Sequence, residues 1–346
     1  MTSPRRITII GDGSMATVCA LLLESKGLAV TIWGGSADHV AELIQTRENR
    51  RYLPGYKLPE SLRLTADPAE ACDRAELLVN AIPTQYIRSV WQRLASHLAP
   101  STPIASVAKG IEQDTLLRPT QIIADVLHED RKVDNPDRPP RPLAAISGPS
   151  VADELARCLP ATVCAAADDA NFSLELQAVF STDWFRVYTN ADLLGVELAG
   201  ATKNVIALAA GVLDGLQAGN NAKSALLSRG LAEITRLGVA MGARAETFYG
   251  LAGVGDLATT CFSPTGRNRT CGEQLGRGRK LETVLEGIPG ICEGVPTTRA
   301  VVALAERYRV EMPITQAIYQ VLFENLDPLE GITQLMSRQP KAERIG

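Results

Sequence analysis

Histidine is scarce in this sequence, and its cysteines are not paired at metal-binding spacing. Only His39, His97 and His128 occur in 346 residues. The seven cysteines, Cys19, Cys72, Cys158, Cys164, Cys261, Cys271 and Cys292, form no CxxC pair. No zinc-type ligand set follows from such spacing, and no metal is expected. Scattered thiols suit a reducing compartment, so a cytoplasmic location is expected. An excess of positive charge is also lacking: 35 Lys and Arg stand against 39 Asp and Glu, a net charge of −4. This argues against a general nucleic-acid or anionic-membrane binder, although a local group of cations can still hold an anionic substrate. No run of 18 apolar residues is free of charge, so no integral membrane association is expected. The few residues ahead of the first apolar run are too short for a secretory signal.

What is present is ordinary globular material, with 45% hydrophobic and 21% charged residues. The length accommodates two domains, and the apolar content suffices for a core without disulfide or metal staples. Residues 7–10 (ITII) form a β-branched run ending in Gly11-Asp12-Gly13. That pattern predicts a buried strand, a tight turn and then a helix over 14–26 closed by Gly27. Strands are predicted at 28–33, 77–81, 104–107, 143–146, 162–165 and 185–188, with a helix at 85–98. This alternation gives an α/β fold with βαβ units and a parallel sheet. The charged, proline-rich stretch 128–142 reads as an exposed loop. After about Asp192 the pattern turns helical, with helices predicted at 193–216, 222–241, 299–307 and 315–323. A boundary near Asn190 separates a sheet domain, 1–190, from a helical one, 191–346.

Three places carry chemistry. The first is the turn Gly11-x-Gly13-x-x-Ala16, in strand–turn–helix context. The first glycine permits the bend, the second lets a pyrophosphate approach the backbone, and the small third residue lets helix and strand pack closely. Helix N–H groups then face the phosphates. The acidic residue expected at the end of the second strand to hold the ribose of NAD is missing. Trp33-Gly34-Gly35-Ser36 stands there, with no arginine for a 2′-phosphate either. The choice between NAD and NADP stays open.

The second place is Lys203, followed by Asn204, in LLGVELAGATKNVIALAAGVLDGL. This helix is apolar nearly all round and is expected to be buried. Burial lowers an ammonium's pKa towards the range useful for proton transfer. A lysine held by a buried carboxylate for structural reasons explains the helix equally well. The third place is polar and cationic: Lys109 after a predicted strand, the glycine-rich stretch 250–260 read as a loop carrying Asp256 and Thr260, and Arg267-Asn268. Strand C-termini are where α/β sheets bind ligands, and arginine suits phosphate.

Taken together and in order, several stretches resemble the bacterial-type NAD(P)-dependent glycerol-3-phosphate dehydrogenases over nearly the whole chain. They are Gly11-Asp-Gly-Ser-Met-Ala16, Arg51-Tyr-Leu-Pro54, Lys109-Gly-Ile-Glu112, Ser147-Gly-Pro-Ser150, Glu197-Leu-Ala-Gly-Ala-Thr-Lys-Asn204, Asn221-Ala-Lys-Ser-Ala-Leu-Leu-Ser-Arg-Gly230, Gly255-Asp-Leu257, Arg267-Asn268 and Glu293-Gly294. The resemblance implies a Rossmann-like doubly wound parallel sheet that binds the dinucleotide, followed by an all-helical domain that binds substrate. It implies reversible hydride transfer between NAD(P)H and dihydroxyacetone phosphate, feeding glycerophospholipid synthesis. Lys203 would be the proton donor and acceptor, and Lys109 would contact substrate and cofactor. Asp256 and Asn268 would hold substrate hydroxyls with Thr260 nearby, and Arg267 would bind the phosphate and reach the cofactor. Gly148, Ser150, Asn204 and Gly266 fall at further substrate positions. Gly11, Gly13, Ser14, Met15, Ala16, Gly35, Ala152, Ile291 and Glu293 fall at cofactor positions. Ala16 stands where the family usually has glycine, and Gly35 where relatives often carry a basic or polar residue. The apolar helical part leaves room for a homodimer. Two other readings remain: a related 3-hydroxyacid dehydrogenase acting on a carboxylate substrate, and a non-catalytic nicotinamide sensor.

Overall fold

The computed structural model describes residues 5–128, 141–340 and 342–343. The chain divides into two compact units, one made of Met1–Ala108 with Pro119–Leu193, the other of Lys109–Arg118 with Leu194–Gly346. Most of the loop expected at 128–142 lies outside the described residues.

The first unit is built on eight strands: β1 (Arg6–Ile10), β2 (Ala29–Trp33), β3 (Arg63–Thr65), β4 (Leu77–Asn80), β5 (Ile104–Ser106), β6 (Leu143–Ser147), β7 (Ala161–Ala167) and β8 (Phe185–Asn190). They are ordered β3-β2-β1-β4-β5-β6-β7-β8. Its helices are α1 (Ser14–Ser25), α2 (Ala37–Thr46), α3 (Pro68–Cys72), α4 (Thr84–Leu94), α5 (Pro119–Val126), α6 (Ala152–Ala156) and α7 (Ala170–Phe180). Ile7, Ile9, Ile10, Leu77, Leu78 and Val79 are all buried. Continuous apolar strands of this kind mark a sheet covered on both faces.

Every pairing in the sheet is parallel except one. β6 and β7 run antiparallel, with Ala145 opposite Ala166, one local reversal within the expected parallel sheet. The connection explains the reversal. A parallel return must carry the chain back along β6, about 17 Å at the rise of a strand. The only helix in that connection, α6, has five residues and spans about 7.5 Å. The chain therefore turns back on itself, and parallel pairing resumes from β7 to β8 after the eleven-residue α7.

In the second unit the helices are α8 (Leu193–Gly215), whose first residue falls at the unit boundary, α9 (Gly219–Ala240), α10 (Ala245–Tyr249), α11 (Asp256–Phe262), α12 (Arg267–Gly276), α13 (Leu281–Gly287), α14 (Gly294–Tyr308), α15 (Pro313–Phe323) and α16 (Pro328–Met336). By length and composition α8 could cross a membrane, but its most apolar window is 100% buried inside the structure. It is the core helix of this unit. Helix α12 lies directly against it: side chains at Gly211, Gly215, Gly272 or Gly276 would overlap backbone atoms of the facing helix. Only glycine at these four positions lets the two backbones touch.

The stretch 250–260, expected as a glycine-rich loop, is helical. One π-helical turn, Leu251–Gly255, leads straight into α11. Gly253 is there because the turn packs on the main chain of Phe248, where a side chain would overlap it. Gly253 serves packing rather than a loop, and composition alone does not separate the two.

Candidate active site

In the first unit the turn after β1 has the geometry its sequence suggests. Gly11 has φ +120°, and a Cβ there would come 2.9 Å from the carbonyl oxygen of Ala81. Only glycine takes that bend without strain. Ala16 is fully buried, where helix and sheet meet. At Gly13 a Cβ would meet nothing within 4 Å, and α1 begins at the next residue with no side-chain cap. An open cradle beside uncapped helix N–H groups suits a pyrophosphate. Ser14 and Met15 form the first turn of α1 and are half-buried. These residues fit a dinucleotide.

The end of β2 carries more than its sequence suggests. Gly35 is exposed. The Asp12 carboxylate reaches the same strand end from the turn, 3.0 Å from His39 Nδ1. From α4, Arg93 lays its guanidinium 5.1 Å from the ring centroid of Trp33. No local pattern signals either arrival, since both depend on strand order. Elsewhere in this unit, Gly148 is buried at the end of β6, Ser150 Oγ donates to its carbonyl at 3.0 Å, and Ala152 opens α6.

In the second unit the predicted catalytic residues meet. Lys203 lies at 5% exposure in the middle of α8, and Asp256 at 2% at the start of α11. Lys203 Nζ donates to Asp256 Oδ1 at 2.6 Å and to Thr260 Oγ1 at 2.8 Å. Lys109 Nζ donates to the other carboxylate oxygen, Oδ2, at 2.6 Å. Asp256 and Thr260 both reach Lys203 because they are four residues apart on one helix face. Two cations and one anion leave a net positive charge. Burial pushes Lys203 down from the usual lysine range to about 8, with the Asp256 charge opposing and the Lys109 charge assisting.

Amide groups extend the cluster. Asn204 Nδ2 donates to the Lys109 carbonyl at 2.9 Å, and Asn268 Nδ2 donates to Asn204 Oδ1 at 3.0 Å. Asn268 Oδ1 in turn accepts from the Gly294 N–H at 2.9 Å and the Cys292 thiol at 3.1 Å. The role of Cys292 was not legible as a sequence pattern. Gly266 caps α12, and Arg267, exposed, is its first residue. The Arg267 guanidinium lies against Gly290, where a Cβ would come 2.9 Å from Nη1. Ile291 and Glu293, both half-buried, lie just ahead of α14. Among the described residues no group of three or more His, Cys, Asp or Glu side chains could hold a metal ion.

Residues 6–173 match the N-terminal region, and residues 192–333 the C-terminal region, of NAD-dependent glycerol-3-phosphate dehydrogenase. The chain belongs to that family. A glycerol-3-phosphate dehydrogenase [NAD(P)+] of Geobacter sulfurreducens is 46% identical over 98% of this chain and 99% of its own length. One of Syntrophotalea carbinolica is 45% identical over 97% and 99%. The crystal structure of glycerol-3-phosphate dehydrogenase from Coxiella burnetii superposes with a TM-score of 0.90 at 37% identity, covering 96% of this chain and 99% of that one. Membership of the dehydrogenase family at full length agrees with an α/β unit followed by helices, and with NAD or NADP as cofactor.

Proposed function

We propose that this chain is a glycerol-3-phosphate dehydrogenase, interconverting dihydroxyacetone phosphate and sn-glycerol 3-phosphate with NAD(H) or NADP(H). One observation carries the reading: a buried lysine brought down to about 8 shares a carboxylate with a second lysine, in a cluster of net positive charge. Proton transfer at an alcohol oxygen needs a group that is neither always charged nor always neutral.

When bound, the nicotinamide supplies or accepts the hydride. Gly11, Gly13, Ser14, Met15, Ala16, Gly35 and Ala152 would hold the cofactor, and Lys109, Arg267, Ile291 and Glu293 are further residues assigned to it. During oxidation, neutral Lys203 Nζ takes the proton of the C2 hydroxyl; during reduction, the ammonium returns it to the C2 oxygen. Lys109 places positive charge where negative charge develops on that oxygen, a stabilisation that costs no reorganisation. Asp256 keeps both ammonium groups on one side of the site, and Thr260 fixes the Lys203 rotamer. Asn204, Asn268, Gly148 and Ser150 serve the substrate hydroxyls. The substrate phosphate meets Arg267 beside the α12 N-terminus capped by Gly266, a pairing suited to anions. We assign dinucleotide binding chiefly to the sheet unit and substrate binding chiefly to the helical one. The proposal extends to a cytoplasmic homodimer supplying glycerophospholipid synthesis.

The test is direct. Purified protein with dihydroxyacetone phosphate and NADH or NADPH should lose the reduced-nicotinamide absorbance. A parallel assay with 3-oxo carboxylates should show no turnover. Turnover of the carboxylates alone would replace this reading with that of a hydroxyacid dehydrogenase. Binding of cofactor without any turnover would replace it with that of a sensor.

A further inference from the structure

The end of β2 is where a dinucleotide fold meets the adenosine ribose, and its chemistry separates NAD from NADP. An acid at this point holds the two ribose hydroxyls of NAD, and a cation holds the 2′-phosphate of NADP. In this chain the strand itself contributes Trp33, Gly34 and Gly35, and no carboxylate. Asp12 lies beside Gly34, but its Oδ2 is already engaged by His39 Nδ1 at 3.0 Å. Asp38, the acid in the first turn of α2, sits three residues beyond Gly35.

The vacant side of Gly35 faces a cation. A Cβ built on Gly35 would find its nearest neighbours at 3.8 Å, the Nη1 of Arg93 and the Cη2 of Trp33. Arg93 comes from the last turn of α4. Its guanidinium lies over Trp33, which is fully buried and anchored by its indole N–H on the Ala66 carbonyl at 3.2 Å. Stacking on a fixed ring holds the planar fork in place while leaving its N–H groups to solvent. Arg93 is exposed and makes no ion pair with a carboxylate among the described residues. An oriented, uncompensated guanidinium beside a position without a side chain is built for a phosphomonoester.

We infer that Arg93 recognises the 2′-phosphate of NADPH and sets a preference for NADPH over NADH. The inference rests on the functional reading above only in taking the ligand to be a nicotinamide dinucleotide. It assigns to a helix residue, more than fifty positions downstream, the task that the glycines after β2 leave undone.

The test is binding, without substrate. The full chain is titrated with NADPH and with NADH by isothermal calorimetry, as wild type, as Arg93→Gln and as Gly35→Glu. Arg93→Gln keeps the aliphatic stem over Trp33 and removes the charge. Gly35→Glu, at an exposed position with room for a side chain, pairs Arg93 and repels phosphate while leaving the Arg93 stem and the Trp33 ring in place. The expected result is tighter NADPH binding by the wild type, with affinity that falls more steeply with salt than that of NADH. Arg93→Gln should weaken NADPH roughly tenfold or more while NADH changes less than twofold; Gly35→Glu should weaken NADPH by a similar factor while NADH is held as well as or better than by the wild type, since an acid at this point suits free ribose hydroxyls. Equal weakening of both cofactors, unchanged NADPH affinity, or a wild type that prefers NADH would overturn the inference. A wild type that binds neither dinucleotide would overturn the functional reading itself, and this inference with it.

Discussion

Replacing Asp256 with Asn removes one charge and almost no volume from a carboxylate that stands 2.6 Å from Lys203 Nζ on one oxygen and 2.6 Å from Lys109 Nζ on the other. Lys203 sits at about 8 because burial pulls it down from 10.5, Lys109 pulls the same way, and Asp256 pulls it up. Without the carboxylate the two largest remaining influences, burial and Lys109, both lower it, and only the smallest, Cys261, raises it. A neighbouring opposite charge at this range is worth about 1–3 pKa units, so Lys203 should titrate at roughly 5–7 in the variant. The direction of each limb follows. In the proposed mechanism oxidation of glycerol 3-phosphate uses the neutral amine, so its rate should rise with pH through a midpoint near 8 in the wild type; in Asp256→Asn the midpoint should fall one to three units lower. Reduction uses the ammonium, so its decline should begin at correspondingly lower pH, and reduction at pH 8 should lose roughly a further tenfold or more. The assay is initial rates in both directions at saturating cofactor across the pH range. The substrate phosphate titrates identically with both enzymes, so the difference isolates the lysine. A limb that stays near 8, or moves upward, would refute the reasoning; a lower rate at unchanged pH dependence would show that Asp256 only positions its neighbours.

Lys203→Met should lower turnover by about 10²–10⁴-fold, the usual contribution of a general acid–base, while dinucleotide affinity measured by calorimetry changes little. Gly13→Val should weaken dinucleotide binding at least tenfold, by filling the cradle, yet leave the melting temperature nearly unchanged because nothing lies within 4 Å of a new Cβ. Gly11→Val should instead be poorly folded on circular dichroism, since φ +120° and the Ala81 carbonyl both oppose a side chain. Gly272→Ala should cost about 1–3 kcal/mol or more in chemical denaturation, the penalty of overpacking, because the new methyl meets the backbone of Leu208.

Much of this was legible locally, and what was not is non-local for physical reasons. The β1–turn–α1 unit announces itself because strand, glycines and helix are contiguous. Lys203 stands out because a charge inside an apolar helix contradicts its surroundings. Its partner does not stand out: Asp256 is 53 residues from Lys203 and 147 from Lys109, and no period in the sequence links them. Composition misleads at 250–260, where Gly253, required by tight packing on the Phe248 main chain, looks like a loop glycine. Helix α2 was overlooked although its signals are present, with Ser36 capping and His39, Val40 and Leu43 on one buried face. Strand direction leaves no mark on the residues of β7, so the antiparallel step became visible only through the length of the connection before it. Arg93 is the sharpest case. The residues after β2 hold no cation, and the one that comes there belongs to another helix.

The contact of α8 with α12 decides what holds the catalytic spacing. Lys203 and Asn204 ride on one helix, Arg267 and Asn268 on the other, and at their crossing main chain meets main chain at four glycines. A separation fixed by side chains drifts whenever one of them is exchanged for a larger or smaller neighbour. A separation fixed by peptide groups has no such adjustable spacer. The helical unit can therefore change much of its remaining interior, one residue at a time, without altering the reach from the Lys203 ammonium to the Asn268 amide.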